Sequence, residues 1–202
     1  MEGIILLNGE PYGGEIPKDG ALTVCCDAAL NWSAGKIRAD VLLGDFDTLG
    51  YVPEGALRYP ARKDFTDGEL ALRYLLGKGC ARIRIYGAGG GRDDHLFCNI
   101  GLLYEARRHG ADAVLYTNYT VVRCVSGEYV WTGRKGTTVS LLPVGKSARV
   151  RESSGLRYPL APLTLRAGST LGLSNVIEED EARIVCDRGE LYVFEVTAER
   201  NG

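Results

Sequence analysis

The chain has 202 residues, 45% apolar and 25% charged, enough for one large or two small domains with a buried core and unlike a disordered or fibrous class. Its 26 acidic residues against 24 basic ones leave a net charge of −2, so no field of one sign is present to hold duplex nucleic acid or an acidic membrane surface. The early apolar run Ile4 to Leu7 is too short for an export signal or a bilayer span, and the six cysteines contain no C-x-x-C pair, so the chain reads as soluble and cytoplasmic with reduced thiols. With only His95 and His109 available, any metal is expected on oxygen ligands.

In chain order, Ile4 to Leu7, Leu22 to Cys26, Val41 to Leu43, Ile83 to Tyr86 and Ala113 to Tyr116 read as strands alternating with segments of helical period. One helix is predicted from Asp67 to about Leu76, with Thr66 at its N-cap, Glu69 completing a capping box, and Gly77 and Gly79 as stops. A second is predicted from about Asp94 to Arg108, acidic at its start, basic at its end and closed by Gly110. From about Thr120 the texture changes to short β-prone runs between glycine, proline and serine turns, such as Thr137 to Leu142, Ala148 to Arg151, Ala182 to Cys186 and Leu191 to Val196. The expected architecture is therefore α/β: a mostly parallel, Rossmann-like domain over residues 1–120, then an antiparallel β-sandwich over 121–202.

Ligands of open parallel sheets sit beyond the carboxyl ends of the strands, so polar residues there carry the most information. Asp27 follows the second predicted strand, Gly44-Asp45-Phe46-Asp47 the third, and Gly87-Ala88-Gly89-Gly90-Gly91-Arg92 the fourth. Asp45 and Asp47 share one side if the backbone stays extended, with Phe46 turned to the core, and together suit a hard cation such as magnesium. Taken alone, such a pair is as readily a turn. A second acidic segment, Lys63-Asp64-Phe65-Thr66-Asp67, opens a helix whose amides favour phosphate, and Asp67 is placed to complete the carboxylate set. The glycine run leaves room for a phosphate to approach backbone amides, and Arg92 adds a bidentate clamp, but the run is not a dinucleotide fingerprint because Arg92 stands where the third glycine belongs.

Gly44-Asp45-Phe46-Asp47-Thr48, then Lys63-Asp64-Phe65-Thr66-Asp67, then Gly90-Gly91-Arg92-Asp93-Asp94-His95 with Asn99 one turn on, resembles bacterial thiamine pyrophosphokinases in order and spacing. The resemblance continues into Gly155-Leu156-Arg157-Tyr158-Pro159-Leu160 and Gly172-Leu173-Ser174-Asn175, and so covers nearly the whole chain. It implies transfer of a pyrophosphoryl group from ATP to the hydroxyl of thiamine, with Mg2+, in a homodimer whose active sites are shared between subunits. It also implies metal ligation by Asp45, Asp47 and Asp67, nucleotide contacts from Asp27, Asn31, Gly89, Gly90, Gly91, Arg92 and His95, and substrate contacts from Lys63, Thr66, Asp67, Ser174 and Asn175. It implies a catalytic set of Asp45, Asp47, Asp67, Arg92 and Asp94, with Asp67 and Asp94 both open as the base. Where the family has two glycines after Asp27, this chain has Ala28 and Ala29, whose methyl groups are expected to narrow that loop or forbid a positive φ. Two other readings stand beside this one: a pyrophosphokinase for another primary alcohol such as a pterin, and a non-catalytic nucleotide- or thiamine-binding module.

Overall fold

The computed structural model describes residues 1–17, 19–60, 62 and 64–197. The chain divides into two compact units, Met1–Asn118 and Tyr119–Gly202.

The first unit is built on β1 (Glu2–Leu6), β2 (Leu22–Cys26), β3 (Val41–Gly44), β4 (Leu57–Arg58), β5 (Arg82–Tyr86) and β6 (Asp112–Tyr116). Every pairing is parallel, in the order β4-β3-β2-β1-β5-β6. Sequential strands thus run outward from β1 in one direction and resume from β5 in the other, which leaves a crevice beyond the carboxyl ends of β1 and β5. Alternation along β1 separates two faces. Ile4 and Leu6 pack with Ile16, Cys25, Ala29, Ile37 and Tyr86, beside the short helix α1 (Ala29–Ser33). On the other face, a Cβ at Gly3 would lie 2.7 Å from a Leu75 methyl carbon, so β1 and α2 (Asp67–Gly77) approach closely there.

Thr66 caps α2 as expected, its Oγ1 accepting the Glu69 N–H at 3.2 Å. The reciprocal half of the capping box is replaced: the Glu69 carboxylate instead holds Arg73 at 2.9 and 3.1 Å, a pair one helical turn away. Helix α2 runs through Gly77 to a C-cap at Lys78, and Gly79 just beyond it closes the turn, with Cys80 N–H bonded to Leu75 O and Gly79 N–H to Leu76 O. Helix α3 (Asp93–Arg108) ends the same way, with Ala111 to Ala106 and Gly110 to Arg107. Both are Schellman closures, which satisfy carbonyls that the last helical turn leaves without partners.

In the second unit, β7 (Thr120–Thr132), β8 (Thr138–Pro143), β9 (Ser147–Ser154), β10 (Leu163–Arg166), β11 (Asn175–Val176) and β12 (Glu181–Val196) pair antiparallel throughout. The two β-prone runs read as separate strands, Ala182 to Cys186 and Leu191 to Val196, are one strand. Its register shifts between Cys186 and Leu191, and β9 pairs with the first part while β8 pairs with the second. The antiparallel expectation holds, but β7 and β12 run through both parts, unlike a sandwich of two separate sheets. Val139, Leu141, Val150, Ile177, Ile184, Leu191 and Val193 meet in its core with Trp131, which is therefore a packing residue.

Two glycine substitutions test which backbone positions the fold constrains. Gly101 lies inside α3 with open space where a methyl group would point, so Gly101→Ala should stabilise the protein by about 0.5–1 kcal/mol through helix propensity. Gly87 has φ +72° and a Cβ there would collide with Leu7 O, so Gly87→Ala should lower the melting temperature and cost about 1–3 kcal/mol. Thermal denaturation of both variants checks this; equal effects would contradict the packing described.

Candidate active site

A cleft of about 550 Å³ lies beyond the carboxyl ends of the first unit's strands. It receives Leu7, Asn8 and Gly9 after β1, Asp27 after β2, Asp45 and Asp47 after β3, the start of α2 and the glycine run after β5. It therefore spans the crevice that the strand order creates.

Its acidic wall arises from the register of β2 on β3. Cys26 stands opposite Leu43, and the Asp27 N–H donates to Leu43 O at 2.9 Å, so the chain following β2 is pinned beside the chain following β3. The backbone after β3 is not extended: Phe46 takes φ +62° and is 3% exposed. Asp45 and Asp47 still converge, because the turn that buries Phe46 brings both back to one side, where Asp45 Oδ1 accepts the Asp47 N–H at 3.2 Å. Ligand atoms of Asp27, Asp45 and Asp47 all lie within 4.8 Å of one another. Asp27 is 7% exposed and, among the described residues, its Oδ1 has no hydrogen-bond partner, a position in which a bound cation would satisfy it. The third member of the cluster is thus Asp27, where the sequence reading placed Asp67; Asp67 lines the same cleft at the start of α2.

The alanines after Asp27 do not obstruct this site. Ala28 has φ −71°, both alanines are buried, and neither lines the cleft. Any positive φ falls on Asp27 itself, at +46°. Asn31 lies on α1, exposed and away from the cleft lining. Trp32 braces the loop instead, its Nε1–H donating to Leu7 O at 3.0 Å.

The opposite wall is the glycine run, and its glycines serve close backbone packing. Gly9 N–H donates to Gly87 O at 2.9 Å and Glu10 N–H to Gly89 O at 2.5 Å, while a Cβ at Gly9 would collide with Gly89 O. Asn99, on α3, donates from Nδ2 to Ala88 O at 3.1 Å. The segment is therefore stitched to β1 and α3 rather than being a loose turn. Gly90, Gly91, Arg92 and His95 line the cleft, whereas Gly89 does not. The sequence reading missed Asn8, Thr48, Gly68 and the role of Asn99; Asn8 was legible as the polar residue just beyond β1.

Arg92 is the N-cap residue of α3 and forms a bidentate pair with Asp94, Nε to Oδ1 at 3.1 Å and Nη2 to Oδ2 at 2.6 Å. The Arg92 guanidinium holds the Asp94 carboxyl below the usual carboxylate range, which makes Asp94 a poor proton acceptor in this arrangement. Lys63 lies outside the described residues.

In the second unit, Ser174 is exposed, with φ +54° and its N–H donated to Ser140 Oγ at 3.1 Å. Asn175 is 2% exposed, and its amide is spent on backbone. Its Oδ1 accepts from Tyr158 N at 3.0 Å and Val176 N at 2.8 Å, and its Nδ2 donates to Tyr158 O at 2.7 Å. The amide of Asn175, expected as a substrate contact, instead clasps the Tyr158 segment.

Asp27→Asn should stabilise the metal-free protein by about 1–2 kcal/mol by relieving unpaired charge, and should abolish the rise in melting temperature that a divalent cation gives the parent protein. A lower metal-free melting temperature would mean that the carboxylate has a stabilising protein partner. Asn175→Ala should destabilise the metal-free protein by about 2–3 kcal/mol because Tyr158 and Val176 lose their partners; an unchanged melting temperature would refute the clasp.

Residues 15–115 match the family described as thiamin pyrophosphokinase, catalytic domain, and residues 126–191 match thiamin pyrophosphokinase, vitamin B1 binding domain. The chain is 30% identical over 141 residues to a thiamine pyrophosphokinase of Bacillus subtilis, covering 69% of this chain and 66% of that relative. It is 23% identical over 180 residues to thiamine pyrophosphokinase 2 of Arabidopsis thaliana, covering 80% and 67%. The crystal structure of the Bacillus subtilis thiamine pyrophosphokinase superposes with a TM-score of 0.83 at 24% identity, over 98% of this chain and 99% of that one. A thiamin pyrophosphokinase structure from Geobacillus thermodenitrificans gives 0.79 at 25% identity, over 98% of each. With two domain matches in the order of the two structural units, the chain belongs to the thiamin pyrophosphokinase family.

Proposed function

We infer that this chain is a thiamine pyrophosphokinase, moving the pyrophosphoryl group of ATP to the hydroxyl of thiamine and releasing AMP. The observation that carries the reading is the cleft itself: three converging carboxylates on one wall face a stitched glycine segment and Arg92 on the other. A polyphosphate with a divalent cation satisfies both walls at once. The match of residues 126–191 to a vitamin B1 binding domain favours thiamine over a pterin alcohol as acceptor.

In the proposed reaction the thiamine hydroxyl oxygen bonds to the β-phosphorus, the bond from that phosphorus to the α,β-bridging oxygen breaks, and AMP departs with the electron pair. Asp27, Asp45 and Asp47 are the residues that fit Mg2+, with Asp67 beside them. Bound there, the cation neutralises charge on the phosphate oxygens. Gly91, just before α3, leaves open space for a phosphate oxygen to approach its amide, while Gly90 packs against Glu10. Arg92 exchanges Asp94 for phosphate, and its fork places two N–H donors where charge builds. Asp67, at the start of α2 and lining the same cleft as the metal carboxylates, receives the hydroxyl proton in this scheme. Positioning and charge neutralisation supply most of the rate, as little covalent chemistry is needed.

Ser174 and the Tyr158 segment contribute to the acceptor site, which we propose is completed in a homodimer. Six free thiols and a nucleotide co-substrate support a cytoplasmic location. Among the described residues, no helix is long and apolar enough to cross a membrane.

AMP formation from ATP, Mg2+ and thiamine, run beside a pterin alcohol, tests the assignment. Thiamine alone should support turnover, and Asp45→Asn should lower kcat by about 10²–10³ while leaving the metal-free melting temperature undiminished. Unchanged turnover in Asp45→Asn would return Asp45 and Asp47 to the role of turn residues.

A further inference from the structure

The cleft that gathers the carboxylates lies within one unit: every described residue lining it falls between Leu7 and Asn99. Its apolar members, Leu7, Cys26 and Ala88, are buried at 5%, 2% and 3% exposure. Its exposed members are glycines and polar residues, Asp47, Thr48, Thr66, Arg92 and His95 among them. Gly91 adds open space, with nothing within 4 Å of where a side chain would begin. An active site excludes water by closing over the reacting groups, and apolar side chains are what make such a closure dry. Among the described residues lining the cleft, no exposed side chain is apolar, so water has access to the groups that handle phosphate. Asp67 stands at the first position of α2, part-buried, on the same lining. A carboxylate there accepts a proton from any attacking O–H group, whether alcohol or water. Selection of the acceptor therefore rests on groups other than these, and the match to a vitamin B1 binding domain falls on residues 126–191.

We propose that the protein has a second activity, the hydrolysis of ATP to AMP and pyrophosphate, with water in the acceptor's place. The proposal rests on the pyrophosphokinase reading and extends it to a different acceptor. The water oxygen bonds to the β-phosphorus, the bond from that phosphorus to the α,β-bridging oxygen breaks, AMP departs with the electron pair, and the water proton passes to Asp67. Only the nucleophile differs from transfer to thiamine. The polar lining makes this route available, because a hydrophilic cleft stays wet while ATP is bound. Holding an alcohol in position is worth an effective molarity of about 10⁵ M or more, an advantage that loosely held water lacks, so hydrolysis runs slower than transfer by about 10³-fold or more. Bound thiamine displaces the water and suppresses the reaction.

Incubation of the full chain with ATP and Mg2+ in 18O-labelled water, without thiamine, tests the second activity, with mass spectrometry locating the label. AMP should accumulate above the enzyme-free rate, with the heavy oxygen in pyrophosphate and none in AMP. Asp45→Asn should lower this rate by about 10²–10³-fold while its metal-free melting temperature is undiminished, which separates the activity from that of a contaminating phosphatase. Saturating thiamine should suppress pyrophosphate release while thiamine diphosphate forms. The proposal is overturned by AMP formation no faster than without enzyme, by label in AMP, by an Asp45→Asn rate equal to the parent's, or by pyrophosphate release that persists undiminished while thiamine is being converted. Thiamine diphosphate formed with no hydrolysis in its absence would refute the proposal and leave the functional reading standing. Labelled pyrophosphate formed while thiamine is left unconverted would sink the functional reading and leave the hydrolysis.

Discussion

Three carboxylates placed side by side at the ends of two strands are the constraint on which the rest of the first unit depends. Charges about 5 Å apart repel by about 3 kcal/mol per pair at an effective dielectric near 20, and by less where Asp47 is exposed to solvent. A fold free to relax would spread them. The β2–β3 register, the Asp27 N–H bond to Leu43 O and the burial of Phe46 prevent it. On the proposed reading, a bound cation recovers the energy stored in that arrangement, so metal affinity and metal-free stability are opposed at the same residues.

Holding such a cluster requires neighbours that do not give way. Three segments around the cleft have their own braces: Trp32 on Leu7 O, Asn99 on Ala88 O, and the Cys26 thiol on Asp67 O at 3.5 Å. Burial pushes the neighbouring Cys25 thiol up to about 11, so it remains protonated and inert within the core. Arg92 stands apart from these braces. Its side chain is 71% exposed and paired with Asp94, itself 62% exposed, a pairing weak enough to yield to phosphate. A rigid acidic wall and one movable cation are a division of labour suited to binding a polyphosphate and releasing its parts.

Much of this was legible in the residues. Alternating strand and helix signals located the parallel unit, and polar residues just beyond strands located the cleft, because both follow from short-range patterns. Asp27 as the third carboxylate was not legible as such, since its approach to Asp45 depends on which strand lies next to β2. The true partner of Glu69 was hidden for a related reason: a capping box and an i,i+4 ion pair compete for one side chain, and Arg73 wins. Asn175 misled most, because an amide near a ligand signature and an amide buried as a backbone clasp look alike until burial is known. The joining of two runs into β12 rests on a bulge, where Gly189 reads in sequence as an ordinary turn.

Whether the three carboxylates hold a cation together is decided by anomalous scattering from a crystal of the protein soaked with Mn2+ and ATP. A peak is expected within coordination distance of carboxylate oxygens of Asp27, Asp45 and Asp47, with phosphate oxygens completing the shell. A peak bound by Asp67 and lacking Asp27, or no ordered cation among these residues, would contradict the arrangement described.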